Sequence, residues 1–415
     1  MKKIFPILLL LISFQKISAQ TTSVLFIGNS YVSYNSLPLM VREISISLGD
    51  SMFVASSNPG GYTFQQHSTY APTIAKIAQQ PWDFVVMQEQ SQMPSFPPAQ
   101  VQADVYPYAA ALCTLIHNND SCTEPVFFMT WGRKNGDQSN CAGYPPVCTY
   151  AGMQQRLRES YLEMGQLNNA TVAPVGMAWK KISADSLAFN LYQADESHPT
   201  IYGTYLSACV FYSVVMKKST VGAAYTGGIA DSSIVLLLQQ TAHDVVFDSL
   251  SLWFESGNIP FSGFNFSAVG TTVTFHSTDL NGAQFQWDLG DGNSSAQQNP
   301  SHNYAPGTYT VTQIVTSNCM SDTATQTLTV LPSGVVESGI PSNEKIFYAD
   351  GRIYFHSEIS SSIVLYDLLG RKIFEQAIEK NKTMQFVNQN FSSGCYIAVL
   401  QNNEMKNLIV KVVVP

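Results

Sequence analysis

The feature that most constrains the fold is a change of pattern near residue 259. From residue 20 to about 258, short apolar runs alternate with longer amphipathic stretches; beyond it, short segments alternate at every second residue between turn residues. The first part suggests strands at Val24–Ile27, Ser51–Ala55, Asp83–Met87, Val126–Thr130 and Thr171–Val175. Helical patterns lie between them, as at Leu37 to Leu48 and Val101 to His117, and a last one runs from Ser233 to Trp253. This alternation predicts an α/β domain over residues 20–258, a three-layer fold with a parallel sheet between two helix layers. The second part predicts two small all-β sandwich domains, over 259–334 and 335–415. Val273-Thr274-Phe275-His276 and Thr308-Tyr309-Thr310-Val311-Thr312 are typical of its strands.

The N-terminus predicts the compartment. Lys2-Lys3 precede an apolar stretch from Ile4 to Phe14, and Ile17-Ser18-Ala19 ends in a small residue before Gln20. That is the form of a secretory signal peptide, residues 1–19, too short to span a membrane. No later segment offers about eighteen uninterrupted apolar residues, so no transmembrane segment is expected in the mature protein. Seven cysteines in an exported chain suggest disulfides. Cys113 with Cys122, and Cys141 with Cys148, would each staple a short loop, and Cys209 reads as a buried thiol. The cysteine spacings do not resemble a zinc site, and neither a metal nor a cofactor is expected. A net charge of −8, with 12% charged residues, leaves no basic patch for nucleic acid.

Chemistry is suggested by a split pair. Gly28-Asn29-Ser30 follows the first strand, and Asp195-Glu196-Ser197-His198-Pro199 lies far downstream. Gly28 would permit a sharp turn out of the strand, exposing the Ser30 hydroxyl and backbone N–H. Asp195 and His198, three residues apart on one loop, can meet side chain to side chain. The carboxylate then accepts from one imidazole nitrogen while the other faces the serine, the arrangement of a serine hydrolase.

These blocks resemble those of the SGNH (GDSL-like) hydrolase superfamily, over roughly residues 20 to 255. The family carries a G-[DN]-S block, a Gly block, an Asn block and a D-x-x-H block; here FIGNS, NPGGYTFQQH and DESHP fall in that order. The resemblance implies a flavodoxin-like fold. It also implies a nucleophile Ser30, a base His198, an acid Asp195, and an oxyanion hole from the Ser30 and Gly61 N–H groups with a side-chain amide. Where the family has G-x-N-D, this chain reads Gln88-Glu89-Gln90-Ser91-Gln92. Gln88, at the strand's end, is the expected donor, with Gln90 the alternative that also faces inward on an extended chain. His67 either contacts substrate or sits on a helix face. Trp131 either stacks on a sugar ring or packs internally, and Arg133 either binds substrate or lies on the surface.

Trp287-Asp288-Leu289-Gly290-Asp291-Gly292 with Tyr304-Ala305-Pro306-Gly307-Thr308-Tyr309 resembles a PKD domain. Trp287 reads as its core tryptophan, and Asp288 and Asp291 as turn formers and not metal ligands. Ile363 to Arg371, then Gly394-Cys395-Tyr396-Ile397-Ala398-Val399 and a last strand from Lys406 to Val414, resemble the C-terminal sorting domain of type IX secretion. That resemblance implies a Bacteroidetes source, the secretion machinery as partner, and a secreted or cell-surface location. The expected activity is that of a secreted serine esterase acting on O-acetyl groups of carbohydrates. The alternatives are a short-chain ester or lipid esterase, and a surface binding protein on a degenerate hydrolase scaffold.

Overall fold

The computed structural model describes residues 21–183, 189–269, 271–317 and 319–330, and beyond them the strands given below with Asp367 and Arg371. The signal peptide expected at residues 1–19 lies outside the described residues. Five strands form the first sheet: β1 (Thr22–Ile27), β2 (Met52–Ser57), β3 (Phe84–Met87), β4 (Glu124–Phe128) and β5 (Thr171–Ala173). Their order is β2-β1-β3-β4-β5 and every neighbouring pair is parallel, Val24 lying opposite Val54 and Phe84, and Val126 opposite Val86 and Thr171. A parallel strand covered on both faces must be apolar on both, and Val24, Leu25, Phe26 and Ile27 are all fully buried.

The helices are α1 (Ser30–Ser33), α2 (Leu37–Ser47), α3 (Phe64–Thr69), α4 (Ala71–Ile77), α5 (Pro98–Asp104), α6 (Tyr106–Asn119), α7 (Tyr150–Asn168), α8 (Val175–Ser183), α9 (Ile201–Met216), α10 (Ser232–Phe247) and α11 (Leu250–Phe254). Helices α2, α8 and α10 gather round α9, and α3, α4, α5 and α7 round α6. For α2 on one face and α3 to α7 on the other, right-handed crossovers require this division, because the chain moves one way across the sheet from β1 to β2 and the other way from then on; α8, α9 and α10 follow the last strand of the sheet. Helix α9 is apolar on nearly every side, and Phe211 sets its ring edge-on to Phe26 and Phe128, at 5.4 and 4.7 Å. The pattern read as one helix from Val101 to His117 is two, parted at Val105 where Pro107 stands in the first turn of α6. The pattern from Ser233 to Trp253 is likewise divided, into α10 and α11.

The next seven strands are β6 (Phe264–Val269), β7 (Thr272–Ser277), β8 (Gln284–Asp288), β9 (Ser294–Ser295), β10 (Ser301–Asn303), β11 (Gly307–Thr316) and β12 (Ser321–Val330). They form sheets of order β10-β7-β6 and β12-β11-β8-β9. Trp287 is fully buried between them, 4.9 Å from Phe264 and 5.3 Å from Phe275, and its indole N–H donates to the Gln297 carbonyl. Asp288 and Asp291 accept from the N–H groups of Gly290 and Asn293 two residues on, as turn-forming aspartates do.

Contacts divide the chain into two compact units, the second holding residues from Val330 on. In it β13 (Lys345–Ala349), β14 (Arg352–His356) and β17 (Gln385–Phe386) make one antiparallel sheet. The other contains β16 (Lys372–Ala377), β15 (Ser362–Tyr366), β18 (Gly394–Gln401) and β19 (Leu408–Val414), in that order. Ile353 and Phe355 are buried at alternate positions of β14, whereas Ile363, Val364 and Leu365 of β15 are buried in succession, as are Ala398, Val399 and Leu400 of β18.

One expected pairing is corrected. Cys141 is joined to Cys148, but Cys122 is joined to Cys319, 197 residues away, while Cys113 is a buried free thiol on α6. Sequence proximity favours a local pair, but Cys113 points into the core while Cys122 lies on the exposed turn before β4. The bridge ties the α/β domain to the turn between β11 and β12. Near it Lys217 pairs with Asp322 at 2.7 Å and donates to the Pro260 carbonyl, and Asn281 donates to the carbonyls of Phe254 and Ile259. Closing so long a loop stabilises by up to about 5 kcal/mol in the chain-entropy account. Cys319→Ser is therefore expected to lower Tm by roughly 5 to 15 °C. Calorimetry showing an unchanged Tm would mean that the bridge does not hold the two parts together.

Candidate active site

All five strands are parallel, so the loops that follow them collect at one edge of the sheet. Ser30 stands there, at the first position of α1 just after β1. The expected reason for Gly28 was backbone freedom; the structure gives a different one. Its backbone is not left-handed, but a Cβ at this position would lie 2.6 Å from Gln88 Oε1 and 2.7 Å from Val32 Cγ2. Asn29 caps α1, its Oδ1 accepting from the Tyr31 N–H at 3.3 Å, and its Nδ2 donates to the Tyr62 carbonyl at 2.9 Å. The second bond draws the Gly60-Gly61-Tyr62 turn against the serine.

The turn is held from behind. His67 is fully buried, with Nε2 at 2.8 Å from the Gly28 carbonyl and Nδ1 at 2.8 Å from Thr73 Oγ1. A carbonyl can only accept, so Nε2 carries the proton and Nδ1 accepts. Burial lowers the basicity of this imidazole, against the bond to Gly28. Of the two readings of His67, the structure gives the helix one: it lies on the buried face of α3 and supports the serine's turn from within.

The Asp195–His198 segment is a closed loop. Backbone bonds from Gln193 to the His198 carbonyl and from Thr200 to the Leu191 carbonyl pinch its base, at 2.8 Å each. The Asp195 carboxylate accepts from the Ser197 and His198 N–H groups and from His198 Nδ1. His198 Nε2 lies 2.9 Å from Ser30 Oγ. Burial works against the Asp195 charge, but the bonds from His198 and Ser197 outweigh it and hold the carboxyl below its ordinary range. The Tyr34 ring stacks on the imidazole at 4.3 Å, covering one face. The structure thus brings Ser30, His198 and Asp195 into one chain of hydrogen bonds with the serine hydroxyl at its end.

Gln88 requires a correction. It is fully buried beneath Gly28, and its Oε1 accepts from the Asn29 N–H at 2.9 Å. Because a backbone N–H must meet an acceptor, the amide nitrogen faces the other way, onto the Glu89 carbonyl. One of its two amide N–H groups is thus used within the protein, and the side chain as a whole is fully buried. The alternative, Gln90, closes its own turn, its Oε1 accepting from the Gln92 N–H at 2.8 Å and its Nε2 donating to Gln92 Oε1. Gly61 has φ +72°, with open space where a Cβ would stand, so glycine serves the turn's conformation there. The Ser30 N–H opens a helix and so has no acceptor within it.

Trp131 is 1% exposed, so it is the packed tryptophan of the two readings. Its ring lies 4.5 Å from Tyr31 and 3.8 Å from Trp179, and its indole N–H donates to the Ser197 carbonyl at 2.9 Å. Arg133 sits two residues on, 3.8 Å from Asp137, with a buried Nε that has no hydrogen-bond partner. Sequence reasoning passed over Tyr31, Tyr34 and Ser197, although each is an immediate or near neighbour of a residue it singled out.

Glu89 was also passed over. This buried carboxyl accepts from the N–H groups of Phe64 and Gln90, joining the start of α3 to the loop after β3. Burial pushes it up to about 8 from an ordinary 4.5. Between those values the unfolded chain has lost a proton that the folded one keeps, so stability falls as pH rises through this window. Glu124, pushed up by burial to about 7, acts the same way over the lower part of it. Melts of wild type and Glu89→Gln from about pH 5 to about pH 8 are expected to show a smaller loss of Tm in the variant. Parallel curves would contradict the assignment.

Residues 263–331 match the family model of the PKD domain, and residues 341–415 that of the secretion system C-terminal sorting domain. No curated protein matches the chain. Among solved structures it is similar to a DUF4886 family protein from Bacteroides uniformis, at 16% identity and a TM-score of 0.48, over 55% of this chain and 96% of that one. It is similar also to a candidate SGNH hydrolase from Slackia heliotrinireducens, at 26% identity and a TM-score of 0.39, over 48% and 100%. The PKD1 domain of Vibrio anguillarum Epp matches at 29% identity and a TM-score of 0.17, over 18% and 95%. Among the described residues no helix is long and apolar enough to cross a membrane. The chain is an α/β domain built on a five-stranded parallel sheet, followed by a region that matches the PKD domain and one that matches the secretion system C-terminal sorting domain.

Proposed function

We propose that the chain is an exported serine esterase whose substrates are O-acetylated carbohydrates. The observation that carries the esterase reading is the relay from Asp195 through His198 to the Ser30 hydroxyl, at the open edge of a parallel sheet. In this mechanism His198 Nε2 takes the Ser30 proton as Oγ attacks the ester carbonyl, and Asp195 steadies the imidazolium that forms. The N–H groups of Ser30 and Gly61 hold the oxyanion. His198 then returns the proton to the departing sugar hydroxyl, and water, activated by the same imidazole, releases acetate.

The carbohydrate assignment rests on the company the site keeps. A PKD module and a sorting tail lie behind it, which suits an enzyme working on extracellular polymers. In this reading the tail takes the protein across a Bacteroidetes outer membrane by the type IX route, after a signal peptide at residues 1–19 has been removed.

Acetate release from a panel of acetylated polysaccharides, and hydrolysis of p-nitrophenyl acetate, test both parts. Ser30→Ala is expected to lower turnover at least about a thousandfold with the fold intact. Hydrolysis by Ser30→Ala at the wild-type rate would end the serine mechanism. Long-chain p-nitrophenyl esters cleaved in preference to every acetylated polysaccharide would replace the carbohydrate reading with a lipid esterase.

A further inference from the structure

Ser30 and His198 are 168 residues apart in sequence, so something besides their own hydrogen bond has to fix the distance between them. The neighbour of each supplies it. The hydroxyls of Tyr31, which follows the serine, and Ser197, which precedes the histidine, lie 2.7 Å apart and are buried. Resting on the esterase reading above, we propose that Tyr31 and Ser197 are positioning residues, whose mutual hydrogen bond holds His198 in register with the Ser30 hydroxyl.

Ser197 is suited to this because each of its polar groups is engaged with a different part of the site. Its N–H donates to Asp195 Oδ1 at 3.1 Å, its carbonyl accepts from Trp131 Nε1 at 2.9 Å, and its hydroxyl meets Tyr31. Tyr31 gives it a fixed point to meet. The phenol ring is 2% exposed, stacked at 4° on Trp131, which is itself stacked at 4° on Trp179. Burial pushes the Tyr31 hydroxyl up, so it stays a neutral group able to donate and accept.

The loop needs such anchors. Glu196, between Asp195 and Ser197, has φ +59°, a conformation costly for a residue with a side chain. It is held there by the Lys134 N–H on its carbonyl and by Asn135 Nδ2 on its carboxylate. A loop bent in this way would relax if an anchor were cut. A displacement of a fraction of an ångström at His198 weakens proton transfer from Ser30 without touching substrate binding.

The test compares wild type, Tyr31→Phe, Ser197→Ala and the double variant, with melts to establish that each is folded. Tyr31→Phe keeps the stacked ring and removes the hydroxyl alone. Each single variant is expected to lower kcat on p-nitrophenyl acetate about five- to tenfold with KM unchanged, and the double variant no further than either. A second readout needs no activity: a low-field Nδ1 proton of His198 is expected in the wild-type NMR spectrum, and it is expected to broaden by exchange in both singles. Losses that multiply in the double variant, an unchanged kcat in either single, or an unaltered Nδ1 resonance would each overturn the proposal. Wild type inert on every ester, with the resonance still responding to Tyr31→Phe, would instead sink the esterase reading and leave the positioning bond standing.

Discussion

Because the Asn29 N–H is buried and can only donate, an acceptor has to lie beneath the turn between β1 and α1. Gln88 Oε1 is that acceptor, and there is room for it only because residue 28 has no Cβ. A buried N–H left without a partner costs about 1–3 kcal/mol, so this contact is not a decoration of the turn. The orientation of Asn29 then directs its side chain to the Tyr62 carbonyl, which brings in the Gly turn, and starts α1 so that Ser30 is its first residue. His67 closes the same turn from below. Three segments separated in sequence are thus gathered by hydrogen bonds to a few backbone groups on either side of the serine.

The opposite half of the site is arranged by a different kind of packing. The Asp195–His198 loop contributes little apolar surface and cannot be held by burial of its own residues. The aromatic stack Tyr31–Trp131–Trp179 provides a rigid wall with polar tips, and those of Tyr31 and Trp131 meet Ser197. Aromatic residues with one apolar body and one polar end are well fitted to this work, since ring stacking fixes the donor's direction. Tyr34 adds a cover over one face of the imidazole. Hydrogen bonds to backbone groups gather the nucleophile's half of the site, and hydrogen bonds from a stacked aromatic wall meet the loop that carries its base.

Much of this was legible in the residues. Apolar runs fully buried on both faces, as in Val24 to Ile27, mark a parallel strand plainly, and the spacing in Asp195-Glu196-Ser197-His198 implied the contact that is seen. What escaped was whatever depended on a partner far away in sequence. Gln88 reads as a donor at the end of a strand; only the buried Asn29 N–H, 59 residues earlier, shows that its oxygen is already committed. Trp131 at a strand's carboxyl end reads equally as a sugar platform or a core residue, until the Ser197 carbonyl is found against its indole nitrogen. Cys122 has a near cysteine and a distant one, and chain separation carries no information on which lies within reach. Pro107 did mark the break between α5 and α6, but an apolar pattern continuing through it concealed the boundary.

The central claim is that Ser30 is a nucleophile activated by His198, and labelling with a fluorophosphonate probe followed by intact mass and peptide mapping tests it most directly. The account predicts one adduct, on Ser30, forming at least about a hundredfold more slowly in His198→Ala. A folded wild-type protein that takes up no probe, or carries it on another residue, would contradict it.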